Sequence, residues 1–141
     1  MSTITKAIEV EADVTTVYDQ WARFVDLPRF VPGLDRVEQR DDVHTRWTIS
    51  IGGLKRTFDA TITEQRADKR ISWEPRSGPG HSGTVTMHRI NATRTRVTVD
   101  MTIAPAGFVE NVADKLGFLD RHVQIALERF KSFIENRDSN A

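Results

Sequence analysis

Apolar residues recur along this chain with two different periods, and the change of period divides it. In residues 108–137, Val112, Leu116, Leu119, Val123, Leu127, Phe130 and Ile134 fall at three- and four-residue steps, which is one stripe of an α-helix. The other face carries Glu110, Asp114, Asp120, Arg121, Gln124, Glu128, Lys131 and Glu135, predicting a long amphipathic helix with a buried stripe and a solvated back. Lys131 and Glu135 are spaced to pair across one turn. At about 1.5 Å per residue such a helix is roughly 40 Å long. Gly117 interrupts the stripe at a cost of about 1 kcal/mol relative to Ala, which predicts either a kink or a close approach there.

From about residue 35 up to that helix the period is two. Trp47, Ile49 and Ile51 alternate with polar residues, as do Phe58, Ala60 and Ile62, then Ile71 and Trp73, then Val85 and Met87, then Val97, Val99, Met101 and Ile103. One apolar face and one wet face mark an antiparallel sheet packed on one side only. Ile51-Gly52-Gly53-Leu54 fits a two-residue hairpin, Ala67-Asp68-Lys69 and Asn91-Ala92-Thr93 fit further reversals, and residues 76–82, with Gly78-Pro79-Gly80, form the longest candidate loop.

Before the sheet, residues 3–11 read as a first strand with Ile4, Ile8 and Val10 on one face; Lys6 on that face predicts a strand end open to water. Asp13 is placed to cap a helix reaching about residue 24, with Val14, Val17, Tyr18, Trp21 and Val25 at helical spacing. A second, very short helix follows Asp26, with Pro28 in its first turn and Pro32-Gly33 ending it.

The predicted class is therefore α+β: a strand, two short helices, six strands and a long helix. Seven strands at about 4.8 Å spacing span more than roughly 30 Å, whereas a helix is about 10–12 Å wide. One helix leaves part of such a sheet uncovered unless the sheet curls round it, and either arrangement favours an apolar hollow able to take a small molecule. The inward positions nominate Tyr18, Trp21, Trp47, Ile49, Phe58, Ala60, Ile62, Trp73, Val85, Met87, Val99, Met101, Leu119 and Val123 as ligand-lining. Trp47 and Trp73 offer broad faces for a flat ligand, or else fill core.

The 141 residues are the size of one domain, taken as 1–141. Twenty basic residues balance twenty acidic ones with neither sign in a block, which argues against a nucleic-acid partner. No apolar run is long enough to span a membrane and the first residues lack the form of a signal peptide, so a cytoplasmic location is expected. The absence of cysteine removes disulfides, thiol nucleophiles and thiolate metal sites. His44, His81, His88 and His122 are not at metal-ligand spacing, and neither a metal nor a cofactor is expected. His81 and His88 read as surface residues.

Val17-Tyr18-Asp19-Gln20-Trp21 with Leu27-Pro28-Arg29-Phe30, the strands around Trp47-Thr48-Ile49-Ser50-Ile51-Gly52-Gly53 and Phe58-Asp59-Ala60-Thr61-Ile62-Thr63-Glu64, and the closing Leu127-Glu128-Arg129-Phe130-Lys131-Ser132-Phe133-Ile134 together resemble the polyketide cyclase/dehydrase branch of the START-like (SRPBCC, Bet v 1-like) superfamily. The resemblance spans nearly the whole chain. It implies the helix-grip fold, a curved seven-stranded sheet wrapped around the C-terminal helix, and an internal cavity for lipids, polyketides, isoprenoids or similar molecules. It does not separate carriers from enzymes. Ring-forming members of that family resemble one another in turning an arginine into the cavity; here the matching inward positions are Trp47, Ile49 and Ile51. Arg46 has outward parity, and Arg56 and Arg89 read as rim charges. No catalytic set emerges. Tyr18 is the best acid/base candidate, and a packed helix tyrosine is its alternative. The reading favoured is binding of a hydrophobic small molecule, with aromatase/cyclase or dehydrase activity as the second and a collapsed structural module as the third. The oligomeric state is not encoded in any pattern found.

Overall fold

A computed structural model of the protein describes residues 2–31, 33–51, 54–76, 81–103 and 112–139. In chain order the elements are β1 (Ser2–Val10), α1 (Val14–Ala22), a 3₁₀ helix (Phe24–Arg29), β2 (Leu34–Gln39), β3 (His44–Ile51), β4 (Leu54–Arg66), β5 (Arg70–Pro75), β6 (His81–Asn91), β7 (Arg94–Ile103) and α2 (Val112–Ser139). The strands form one antiparallel seven-stranded sheet in the order β1-β7-β6-β5-β4-β3-β2. Strands β2 to β7 are a meander, and β1 joins it beside β7, from Ser2 opposite Ile103 to Val10 opposite Thr95. The sheet curls about α2, which is the α+β helix-grip architecture.

The period-two pattern sorts the sheet as predicted. Trp47, Ile49, Phe58, Ala60, Ile62, Ile71, Trp73, Val85, Met87, Val97 and Val99 are all buried, while Thr48, Asp59, Ser72, Thr84 and Asp100 keep solvent contact. Ile51 pairs with Leu54, as a two-residue hairpin requires, although Gly52 and Gly53 lie outside the described residues. Residues 77–80 of the candidate loop and 108–111 of the predicted long helix lie outside them too. The reversal at Ala67-Asp68-Lys69 places Asp68 at φ 63°, and that at Asn91-Ala92-Thr93 closes Asn91 onto Arg94.

Asp13 caps α1, with its carboxylate accepting from Thr16 N at 3.1 Å and from Thr16 Oγ1 at 2.6 Å. The helix is shorter than its apolar spacing predicts. It stops at Ala22, and the 3₁₀ turn that begins at Phe24 resets the phase: Phe24 and Leu27 turn inward, and Val25 is left 52% exposed rather than on the buried stripe. Pro28 accordingly lies late in this helix instead of in its first turn. Gly33 follows at φ +81°, a conformation that suits glycine, with Ser50 O only 3.0 Å from where a Cβ would stand.

Along α2, Val123, Leu127, Phe130 and Ile134 are buried, joined by Ala126, and the helix runs through Gly117 without ending there. Its polar back is not simply solvated. Asp120 forms an ion pair with Lys6 of β1 at 2.9 Å, Lys131 donates to Glu9 O at 3.2 Å, and Glu135 accepts from Glu11 N at 2.9 Å. Lys6 therefore faces helix rather than open water. These bonds satisfy groups along the free edge of β1, which would otherwise invite pairing with another strand. Burial pushes the Glu135 carboxyl up, but the Lys131 ammonium and the Glu11 N–H outweigh it and hold the group below the ordinary carboxylate range.

Candidate ligand-binding interior

Two aromatic groups line the space between the curved sheet and the helices. The first stands on the sheet. Trp47 stacks on Phe58 with centroids 5.8 Å apart and on Trp73 at 5.4 Å, while Phe24 of the 3₁₀ helix meets Trp47 and Trp73 edge-on at 6.0 and 6.2 Å. Register brings them together: Trp47 lies opposite Phe58, and Trp73 opposite Ile62. The second group packs α1 and the 3₁₀ helix against α2. Trp21 contacts Phe30 at 5.2 Å and Phe130 at 4.9 Å, and Phe30 contacts Phe130 and Phe133.

Local chemistry fixes how the indoles lie. Trp47 Nε1 donates to Thr45 Oγ1 at 2.7 Å, and that hydroxyl donates onward to Ala60 O at 3.4 Å, so the polar edge of Trp47 is satisfied within the protein and its faces remain apolar. Trp73 lies across Gly83, its partner in register; a Cβ added there would stand 2.4 Å from Trp73 Cζ2. Glycine at this position is what lets the indole lie down on the sheet.

Of the nominated lining residues, Trp21, Trp47, Ile49, Phe58, Ala60, Ile62, Trp73, Val85, Met87, Val99 and Val123 are buried, and Tyr18 and Met101 are partly buried. The side chain of Leu119 is outside the described ones. Tyr18 is set apart from the Trp47–Trp73 group: it sits on α1 near Asp19 and Asp68, where burial first and those two carboxylates second push its hydroxyl above the ordinary phenol range. Its hydroxyl therefore stays protonated near neutral pH. Arg46 points outward as its parity predicts, held to Asp59 at 2.9 Å, and His88 is exposed. The buried polar residues among the described ones are Gln20, Thr45 and Thr95, and Thr95 is engaged with Ala12 O at 2.8 Å.

Several participants lie outside the nominated set, among them Phe30, Phe130 and Phe133 of the second aromatic group and Phe24, Thr45 and Gly83 around the first. Phe24 does so because the break in α1 hides its inward turn. Thr45 and Gly83 share the parity of Trp47 and Val85, and that parity is the signal that would have found them.

The sequence pattern of polyketide cyclase/dehydrase and lipid transport proteins matches residues 10–131. The chain belongs to this family. An uncharacterized 17.2 kDa protein of Streptomyces lincolnensis, from the melC2-rnhH intergenic region, is 44% identical over 138 residues, covering 97% of this chain and 92% of that protein. Two solved structures share the fold. A START superfamily protein from Mycobacterium smegmatis superposes with a TM-score of 0.74 at 16% identity, covering 94% of this chain and 98% of the other. The ZhuI aromatase/cyclase from Streptomyces sp. R1128 superposes with a TM-score of 0.75 at 17% identity, covering 96% of this chain and 94% of the other. Among the described residues no helix is long and apolar enough to cross a membrane, and no cluster of His, Asp and Glu is placed to hold a metal ion.

Proposed function

We propose that this protein binds a hydrophobic, partly flat small molecule, such as a lipid, polyketide or isoprenoid, in its interior between sheet and α2. The observation that carries this reading is the stacked Trp47, Phe58 and Trp73 group on the inner face of a family fold associated with polyketide chemistry and lipid transport. Ile49, Ile62, Val85, Met87 and Val99 extend the same apolar surface, and Val123 faces it from α2. Such a surface gains about 25 cal/mol for each Å² of apolar ligand it shields from water.

Native mass spectrometry of the purified protein tests the reading directly. A co-purified apolar small molecule, released by organic solvent, is the expected result. An environment-sensitive apolar dye is expected to bind saturably with little dependence on salt, since screening acts on charge and not on apolar contact. Binding that collapses at high salt, or none, counts against it.

Turnover is the second reading, favoured by the likeness in fold to an aromatase/cyclase. It requires an acid or base at the ligand, and the interior side chains described offer apolar surface with the hydroxyls of Thr45 and Thr95 already engaged. A poly-β-ketone analogue that gives the same ring pattern with and without protein would remove it.

A further inference from the structure

On the opposite face of the sheet, a stagger between strands opens a second, polar cleft. Strand β4 is longer than its neighbours: β3 pairs with it from Leu54 to Thr61, and β5 from Ala60 to Arg66. The strands overlap only briefly, and there Arg76, just beyond β5, turns back to donate its N–H to Asp59 O at 2.9 Å. The result is a cleft of about 380 Å³ lined by Arg40, Asp41, His44, Thr45, Arg46, Asp59 and Arg76.

Its donors outnumber its acceptors. Three guanidiniums from three separate segments meet two carboxylates, and one carboxylate is already spent: Asp41 accepts from Val43 N and His44 N at 2.9 Å each and from His44 Nδ1 at 2.7 Å. Asp59 takes the Nε of Arg46, which leaves that side chain's remaining N–H groups available. Arg40 reaches Glu38 only at 3.5 Å, and Arg76 makes no ion pair among the described residues. The hydrogen bond from Arg46, helped by the charges of Arg46, Arg40 and Arg76 against an opposing effect of burial, holds the Asp59 carboxyl below the usual range.

We propose that this cleft binds the phosphate group of a dissolved small molecule, with Arg46 and Arg76 as its principal contacts. Guanidinium forks match tetrahedral oxyanions in geometry, and an oxyanion would use the net positive charge that remains when three arginines meet Asp41 and Asp59. The charged groups of the site face away from the interior: Arg46 and Asp59 alternate with Trp47 and Phe58 on the same two strands and point the other way, and only Thr45, which shares the parity of Trp47, reaches the floor of the cleft from inside.

Backbone amide NMR during titration with inorganic phosphate, at ionic strength held constant with chloride, tests the proposal. Saturable shifts confined to His44, Arg46, Asp59 and Arg76 are expected. Arg76→Ala and Arg46→Ala should each weaken phosphate binding about five- to ten-fold, and Asp59→Asn should tighten it. Arg94→Ala, an exposed arginine paired with Glu9 and Glu11 at the far edge, should change nothing. All four positions are exposed or half-exposed, and unchanged amide spectra elsewhere will establish that the variants fold. Non-saturating shifts spread over other arginines, or binding indifferent to both Arg46 and Arg76, overturn the proposal. Arg76-dependent pelleting with phosphatidic acid vesicles, without binding of free phosphate, would make the occupant a lipid headgroup and overturn it equally.

Discussion

Trp47 with Phe58, and Arg46 with Asp59, are adjacent rungs of one ladder between β3 and β4. Both are cross-strand pairs on the same backbone, one residue apart, yet the first is buried in stacked aromatics and the second stands in water at 43% and 42% exposure. The inner rung is stabilised by removal of apolar area from solvent, so that losing one of its rings is costly. The outer rung exchanges hydration for an ion pair of similar free energy, so it holds charge in place for little stability. The contrast explains why the same pair of strands can serve a dry interior and a wet anion cleft without either compromising the other.

Substitutions on the two faces should separate accordingly. The largest effect is expected for Phe58→Ala, which removes a ring from the Trp47 stack; a loss of about 3–5 kcal/mol in urea unfolding is predicted. Gly83→Ala comes next. Its Cβ would meet the Trp73 indole, a rigid ring with only 5% of its surface exposed, and a cost of about 1–3 kcal/mol is expected, with altered tryptophan fluorescence as the indole lifts. Thr45→Val keeps the shape but removes the hydroxyl that accepts from the Trp47 N–H, so about 1–2 kcal/mol should be lost and the indole N–H resonance should shift. A result near zero for any of these would mean that the contact it removes or crowds contributes nothing to the inner face. On the outer face Arg46→Ala should leave the unfolding midpoint unchanged, and a clear destabilisation there would erase the distinction.

A smaller effect is expected from pH. The Thr16 hydroxyl, with some offset from burial and further help from backbone N–H groups, holds the Asp13 carboxyl below its ordinary value of 3.8. A depressed carboxyl adds stability that is present above its unfolded pKa and lost as pH falls through the folded one. The start of α1 should therefore loosen only below about pH 4, and Asp13→Asn, which keeps the cap without the charge, should flatten that dependence. A slope retained in Asp13→Asn would assign it to another group.

Much of the fold was legible in the residues because burial on a sheet is decided by a strict alternation. Each of the inward residues from Trp47 to Val99 whose side chain is described kept the face its parity gave it. The burial of Val123, Leu127, Phe130 and Ile134 on α2 followed equally from spacing, as did the Asp13 cap, since both depend on neighbours within a turn or two. Val25 was misplaced because the end of α1 is set by the packing of the 3₁₀ helix on the sheet and not by α1 itself.

What the sequence determined by itself, then, was local: the periods, the turns, which side chains are dry, and the family. What only the tertiary structure decided was long-range register and its consequences. The pairing of β1 with β7, the engagement of Lys6 by Asp120, the indole of Trp73 lying on Gly83, and the convergence of Arg40, Arg46 and Arg76 around Asp59 each join residues far apart in the chain. No periodic signal encodes such contacts, because they depend on how the sheet bends and where its strands are staggered, and both are settled by the packing of the whole core.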